Sequence, residues 1–176
     1  MHVMLDLETL GTEADCPVLS IGAVVFDPKT GVMGKEFYEV LHLEEQFAMG
    51  RKLSADTFRW WMKQNDAARA AIHTPSGAAA SATLAMDKFR LWFGGNTFIW
   101  SNGAGFDIPI IENLMKQVGV GVPWKFWDAR DTRTVGHMAG IRLQKTGTNH
   151  NALDDARSQA QWMVDCYKKL GLCSTK

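Results

Sequence analysis

The sequence predicts an α/β layer fold built on a mixed β-sheet, and two features of its apolar pattern carry this prediction. Near the N-terminus, three closely spaced segments have the alternating or continuous apolar character of strands, which favours an antiparallel meander. Further along, residues 97–101 form a short, almost wholly apolar run between segments of helical character, as expected for a strand buried by helices on both faces. Strands that come first in succession and later alternate with helices favour a sheet flanked by helices.

The predicted meander has strands at residues 3–9, 18–27 and 35–41, with a turn containing Pro and Gly at residues 28–31. The apolar residues then change to helical spacing. The later predicted elements are a helix capped by Ser54, a short helix opening at residues 66–69, a helix over residues 78–93, the strand at 97–101, a helix over 108–118, a strand over 124–128, a helix over 131–139, a polar loop over 142–149 and a final helix.

Composition places the chain among ordinary globular proteins. Its 176 residues are 46% hydrophobic and 22% charged, which predicts a single domain over residues 1–176. No run approaches the ~20 apolar residues that a membrane span needs and no export signal is visible, so no membrane association and a cytoplasmic location are expected. Lys plus Arg equals Asp plus Glu at 19 each, which excludes a global positive field for nucleic acid. The three cysteines lack CxxC spacing and are expected to be reduced thiols.

The first predicted strand has the most specific chemistry. Asp6 and Glu8 lie two positions apart and share one strand face, while Leu5 and Leu7 share the other. Two neighbouring carboxylates in an apolar run repel each other and resist burial unless positive charge lies between them. A divalent metal ion would supply that charge, and an amphipathic edge strand with both acids in water is the alternative left open.

Two later segments add acids and a histidine. Asp107 follows a glycine-containing loop and starts a predicted helix, where it would serve equally as a helix cap. His150 precedes Asp154 and Asp155 at the start of the final helix. Three separated acidic elements plus one histidine suit two-metal phosphodiester hydrolysis, in which Mg²⁺ or Mn²⁺ prefers oxygen ligands. An imidazole, with an ordinary pKa of about 6.5, suits proton transfer from water.

Three motifs carry a resemblance to a known family. They are Asp-Leu-Glu-Thr at residues 6–9, Asn-Gly-Ala-Gly-Phe-Asp at 102–107 and His-Asn-Ala-Leu-Asp-Asp-Ala at 150–156. In order and spacing they resemble the exonuclease motifs of the DEDDh superfamily, the ribonuclease-H-like 3′-to-5′ exonucleases. Residues 58–61 and 125–134 look closer to one branch, small phage, prophage and bacterial exonucleases that include phage T4 exonuclease A and a mycobacterial exoribonuclease.

The resemblance implies a ribonuclease-H-like mixed β-sheet, with an antiparallel three-strand meander plus parallel strands flanked by helices. It also implies a metal-dependent 3′-to-5′ exonuclease that releases nucleoside 5′-monophosphates. Asp6, Glu8, Asp107 and Asp155 correspond to the acids that bind two Mg²⁺ or Mn²⁺ ions, and His150 corresponds to the general base.

Further residues have more open assignments. By the same resemblance Thr9 and Leu10 hold the terminal nucleotide, and Phe106 stacks on it, although an aromatic residue in that position is as often part of the core. Asp154 would replace Asp155 if the final helix began at the histidine itself. Asp131 is interpreted as a supporting residue or a helix cap.

The expected partners are single-stranded DNA or RNA 3′ ends, and the sequence does not discriminate between the two sugars. Two alternatives stay open: a nucleic-acid-binding module without useful catalysis, and an oligoribonuclease or RNA-trimming enzyme. A homodimer is compatible with the resemblance. Trp60 and Trp61 are expected to pack in the core or against helices, with base stacking as the minority interpretation.

Overall fold

The computed structural model describes residues 1–72, 79–147 and 150–173. Its centre is a five-stranded sheet with the order β3-β2-β1-β4-β5. β2 pairs antiparallel with both β1 and β3, while β4 runs parallel to β1 and β5 parallel to β4. The strands are β1 (His2–Thr9), β2 (Val18–Phe26), β3 (Met33–Val40), β4 (Phe98–Ser101) and β5 (Ala129–Asp131). The predicted mixed sheet, an antiparallel meander extended by parallel strands, is therefore confirmed.

Helices cover both faces of this sheet. The helices are α1 (Leu43–Ala48), α2 (Ala55–Met62), α3 (Asp66–Ile72), α4 (Ala82–Phe93), α5 (Asp107–Gln117), α6 (Thr132–Ala139) and α7 (Ala152–Lys169). Apolar residues of α4 and α5 pack with Val3, Leu5 and Leu7 in one core cluster. Residues of α6 and α7 pack with Met4 and other strand residues in a second cluster on the opposite face. No helix in the described ranges is both long and apolar enough to cross a membrane.

The N-terminus of α7 lies against the sheet because β2 has a glycine there. Gly22 pairs with Asp6 in the β1–β2 ladder. A Cβ atom at Gly22 would lie 2.1 Å from the backbone carbon of Ala152, so any other residue would push α7 away. Asn151 caps the helix, its side chain accepting hydrogen bonds from the backbone N–H groups of Leu153 and Asp154 at 3.1 Å each. The first turn of α7 is thus placed beside the acidic face of β1.

The prediction of a strand at residues 124–128 is wrong. Residues Phe126–Asp128 form a 3₁₀ helix, and the strand follows it as β5. The Lys125 backbone N–H donates to an Asp128 carboxylate oxygen at 3.3 Å, which closes a turn where the apolar composition had suggested an extended segment.

Two helix boundaries also differ from the prediction. Helix α4 begins at Ala82, after its cap residue Ser81, instead of at residue 78; residues 73–78 lie outside the described part of the chain. Helix α1 was not predicted, because residue His42 offers no side-chain cap and the helix has only 6 residues. Gln46 holds it in place by bonding to both the N–H and C=O groups of Val18, at 2.8 Å each.

Candidate active site

The sequence-predicted acids and histidine converge where β1 and β4 end. Asp6 and Glu8 lie on the β1 face that looks toward α7, Asp107 is the first residue of α5, and Asp155 lies in the first turn of α7. Glu8, Asp107 and Asp155 are buried, and His150 is half-buried just before α7. The alternative left open by the sequence, an edge strand with both acids in water, is excluded because β1 is the central strand of the sheet.

Glu8, His150 and Asp155 form the tightest cluster. One potential ligand atom from each lies within 4.8 Å of the others. Carboxylate oxygens and an imidazole nitrogen at this separation suit a bound cation.

Asp6 and Asp107 are held by hydrogen bonds from neighbouring elements. An Asp6 carboxylate oxygen accepts from the Gln159 side-chain amide at 2.7 Å. An Asp107 oxygen accepts from the backbone N–H of Leu7 at 3.1 Å, so this carboxylate bonds to β1. Phe106 and not Asp107 is the N-cap residue of α5, which makes the simple cap interpretation of Asp107 wrong.

Burial raises the pKa values of Asp6, Glu8 and Asp107. Desolvation, followed by repulsion from Asp107, Glu8 and Asp155, raises the pKa of Asp6 well above its ordinary value. Desolvation and the charge of Asp155 raise the pKa of Glu8 to about 8. Desolvation raises the pKa of Asp107 to about 7, although the Leu7 N–H opposes the shift. A cation among these groups would favour their charged forms, so the site fits a hard divalent ion.

His150 has the opposite shift. Burial, followed by the charge of Lys145, lowers its pKa below the ordinary value, although the nearby Asp155 opposes the change. The imidazole is therefore neutral at pH 7 and has a nitrogen available to accept a proton.

Two residues that contact the acids were missed by the sequence prediction. Lys145 places its ammonium 2.8 Å from the Asp155 Oδ2 atom. Within the described residues, the other oxygen of Asp155 has no hydrogen-bond partner. Gln159 could have been found, because it lies four residues after Asp155 and so shares its face of α7. Lys145 gave no such signal, since it belongs to a polar loop without periodicity.

The neighbouring acids have other partners. An Asp154 oxygen accepts from Arg157 at 2.8 Å, while Asp155 faces the buried acids, so the geometry favours Asp155 as the member of the site. Asp131 caps α6, accepting from the Thr134 N–H at 3.0 Å, which confirms the cap interpretation. Its second oxygen accepts from the Ala104 N–H at 2.7 Å and so steadies the loop that leads to Asp107.

A cavity of about 420 Å³ opens beside Glu8. Its lining residues are Leu7, Glu8, Thr9, Gly11, Thr12, Asp56, Thr57, Trp60, Trp61 and Phe106. Thr9 and Phe106, two of the residues assigned to substrate contacts from the sequence, both line this cavity. Leu10 does not: its side chain packs with Leu19 and Trp61, and its backbone groups bond to Pro17 and Ser54. The structure therefore gives no support to a direct contact between Leu10 and a nucleotide.

The two tryptophans of α2 differ in environment. Trp61 is 4% exposed and packs in a small core cluster, which confirms the expected packing role. Trp60 is 43% exposed, and its ring lies edge-on to the imidazole of His150.

A five-stranded mixed sheet with four carboxylates and a histidine at the end of its central strand defines a DEDDh-type exonuclease of the ribonuclease-H-like superfamily. The chain belongs to a particular family within it, the Rv2179c-like 3′-5′ exoribonuclease domain family, whose profile matches residues 1–167. The predicted exonuclease class is therefore confirmed.

The individual proteins that are similar to this chain have low sequence identity to it. The exodeoxyribonuclease of Enterobacteria phage T4 is 27% identical, with 74% of this chain and 68% of the relative covered. E. coli exonuclease I, in a complex with a dA16 oligonucleotide, matches with a TM-score of 0.69 at 14% identity. That match covers 97% of this chain but 41% of exonuclease I, so the chain spans about two fifths of that protein. Cell-death related nuclease 4 matches with a TM-score of 0.59 at 14% identity, covering 97% of this chain and 64% of that one.

Proposed function

We propose that this protein hydrolyses the terminal phosphodiester bond at single-stranded 3′ ends and releases nucleoside 5′-monophosphates. The observation that carries the proposal is the cluster of buried carboxylates with His150 at the edge of a nucleotide-sized cavity. Buried acids with raised pKa values have an unfavourable charge interaction that a bound cation would relieve. Family membership assigns the class of reaction.

Asp6, Glu8, Asp107 and Asp155 would hold two divalent ions, Mg²⁺ or Mn²⁺. When bound, such ions supply positive charge that polarises the scissile phosphate, acidifies the attacking water and stabilises the departing 3′-oxygen. Gln159 holds the Asp6 carboxylate in place, and the Leu7 N–H does the same for Asp107. The protein therefore fixes these acids before a substrate arrives.

His150 is assigned the role of general base. Its neutral imidazole lies at the Glu8–Asp155 cluster, where it would accept the proton of the attacking water as that water approaches the phosphorus. The chemistry needs a basic nitrogen there, and the lowered pKa keeps the ring deprotonated at pH 7.

The terminal nucleotide is assigned to the cavity beside Glu8. Its volume of about 420 Å³ lies within the range of small-molecule sites. Phe106 offers apolar surface for a base, and Thr9 lies next to the acids. The exonuclease I complexes with single-stranded DNA support a single strand as the substrate.

The family description and the phage relative point to different sugars in the substrate. The matching family is described as exoribonucleases, which favours RNA as the first substrate class, whereas the phage relative is named an exodeoxyribonuclease. RNA trimming is thus the first candidate role, and DNA degradation is the second. We also propose a cytoplasmic location and retain a homodimer, which size-exclusion chromatography with light scattering would test.

The test is hydrolysis of matched single-stranded RNA and DNA, each with a free or a blocked 3′ end, in Mg²⁺, Mn²⁺ or chelator. We expect nucleoside 5′-monophosphates from free 3′ ends with metal, and no products from blocked ends or in chelator. An Asp6→Ala preparation purified in parallel controls for contaminating nuclease and separates catalysis from simple binding. Internal cleavage, release from 5′ ends or full activity in chelator would contradict the proposal.

A further inference from the structure

His150 has a backbone conformation that needs support. Its φ angle is 62°, in the left-handed region that residues with a Cβ atom seldom adopt. Such a conformation is strained and persists only where surrounding contacts hold it. The contacts of the His150 side chain therefore bear on how the imidazole is placed.

Two tryptophan rings pack against the His150 imidazole. The Trp60 ring centroid lies 4.8 Å from that of His150 with an interplanar angle of 84°, and the Trp61 centroid lies at 5.9 Å with 77°. The two indoles also contact each other edge-on, at 5.1 Å. Edge-to-face contacts of this kind favour a particular relative orientation of the rings.

The tryptophans are in turn tied to the strand that carries the acids. The Trp61 indole N–H donates to the carbonyl oxygen of Thr9 at 2.9 Å, and Thr9 directly follows Glu8 in β1. At the other end of α2, the Ser54 N–H donates to the carbonyl of Leu10 at 2.7 Å. Helix α2 is thus fastened at two points to the residues after Glu8.

On its other side His150 reaches the acids, with a ring nitrogen within 4.8 Å of ligand atoms of Glu8 and Asp155. The imidazole therefore lies between the acids and the indoles of α2. We propose that Trp60 and Trp61 are positioning residues for His150, which hold its ring at a fixed place relative to the carboxylates of β1. This proposal rests on the function assigned above.

A positioning role differs from base stacking in what it predicts. Trp60 also lines the cavity beside Glu8, so a stacking role would appear in KM and would persist without the histidine. A positioning role acts through His150, so it appears in kcat and disappears once the histidine is removed. A misplacement of the reacting groups by about 1 Å costs up to about 10²-fold in rate.

The experiment is a double-mutant cycle between Trp60 and His150, measured as kcat and KM on a single-stranded oligonucleotide with Mn²⁺. The single variants are Trp60→Leu and His150→Ala, and the double variant combines them. Trp60→Phe keeps an aromatic ring, and Trp61→Phe keeps the ring while removing the indole N–H that bonds to Thr9. Phe58→Leu is the matched control, because Phe58 is an exposed aromatic of the same helix that lines a different groove.

We expect Trp60→Leu to lower kcat by about 10-fold, with KM changed by less than about twofold, and Trp60→Phe to recover most of the rate. Trp61→Phe should lower kcat by a smaller factor, and Phe58→Leu should match the wild type. In the His150→Ala background, Trp60→Leu should have no further effect. Thermal unfolding checks that each variant is folded.

The positioning role is overturned if Trp60→Leu lowers activity by the same factor with and without His150, or if it changes KM alone. It is also overturned if both tryptophan variants are as active as Phe58→Leu, and in that case the proposed function stands. If the folded wild type releases no nucleotides from any oligonucleotide, the proposed function fails and the positioning role is overturned with it.

Discussion

The two faces of β1 place one strand in two different environments. Val3, Leu5 and Leu7 point into an apolar cluster with α4 and α5. Met4, at the start of the other face, packs against residues of α7, but Asp6 and Glu8 follow it on the same face. Between Met4 and Glu8 this face changes from hydrophobic core to a pair of acids, while the other face is apolar from Val3 to Leu7.

The two faces of β1 together show how a protein can hold like charges close together. Asp6, Glu8 and Asp107 have raised pKa values, so their burial opposes folding of the metal-free chain. The opposite face of the same strand supplies hydrophobic burial that offsets this cost, at roughly 1.5–3 kcal/mol for each fully buried large aliphatic side chain. We therefore expect catalysis and stability to separate between the two faces.

The largest expected effect is loss of hydrolysis on replacing an acid. Asp6→Ala should lower the rate by at least about 10³-fold, because loss of charge stabilisation by the metals is worth several kcal/mol. In chelator, the same variant should unfold at a temperature no lower than the wild type, since it removes a buried charge. The control is Asp165→Ala, an exposed acid of α7. Cleavage by Asp6→Ala at the wild-type rate would defeat the assignment.

Replacing a residue on the apolar face should have the reverse effect. Leu5→Ala should lower the free energy of unfolding by about 2–5 kcal/mol, because Leu5 is fully buried and a cavity would remain. The kcat of the folded fraction should stay within about threefold of the wild type, since the acids are untouched. Denaturant unfolding measures the first quantity. Leu91→Ala, at a 72% exposed position, should change stability by less than about 0.5 kcal/mol.

The pH dependence of stability should reveal the cost of the acidic face. Glu8 has its pKa raised from 4.5 to about 8, so in this window the folded chain binds more protons than the unfolded chain. The free energy of unfolding in chelator should therefore fall as the pH rises from 4.5 to about 8, and Glu8→Gln should flatten this slope. Added Mg²⁺ should also reduce this slope, because a bound cation favours the charged form of Glu8. Denaturant unfolding at a series of pH values from 4.5 to about 8 measures this free energy. A free energy of unfolding that rises across the range would contradict the prediction.

The smallest effect concerns the cation already present beside Asp155. Lys145 competes for an oxygen of that carboxylate, so Lys145→Met should tighten Mn²⁺ binding by up to about fivefold, as expected for a partly exposed ion pair worth at most about 1 kcal/mol. Isothermal titration calorimetry measures the affinity. Lys88→Met, which removes the Glu39 ion pair, should leave Mn²⁺ binding unchanged. Weaker binding in Lys145→Met would show that the ammonium assists the site.

The sequence predicted the sheet and the five motif residues because each depends on a local signal. Alternation on β1 placed Asp6 and Glu8 on one face, and the motifs supplied Asp107, His150 and Asp155. Residues that act through contacts between distant segments were not predictable in this way. Gly22 is required because α7 approaches β2 closely, and Lys145 reaches Asp155 from a loop without periodicity. The 3₁₀ helix at Phe126–Asp128 was missed because its composition suits a strand equally well.

The placement of the acids on the first strand and the last helix has a consequence for synthesis of the protein. Asp6 and Glu8 leave the ribosome before His150 and Asp155, which emerge with the start of α7. Chains are made from the N-terminus at about 5–20 residues per second, so the acids of β1 are made several seconds before the rest of the site. The site is thus incomplete until α7 docks on the sheet, which couples assembly of the four acids to folding of the segments between them.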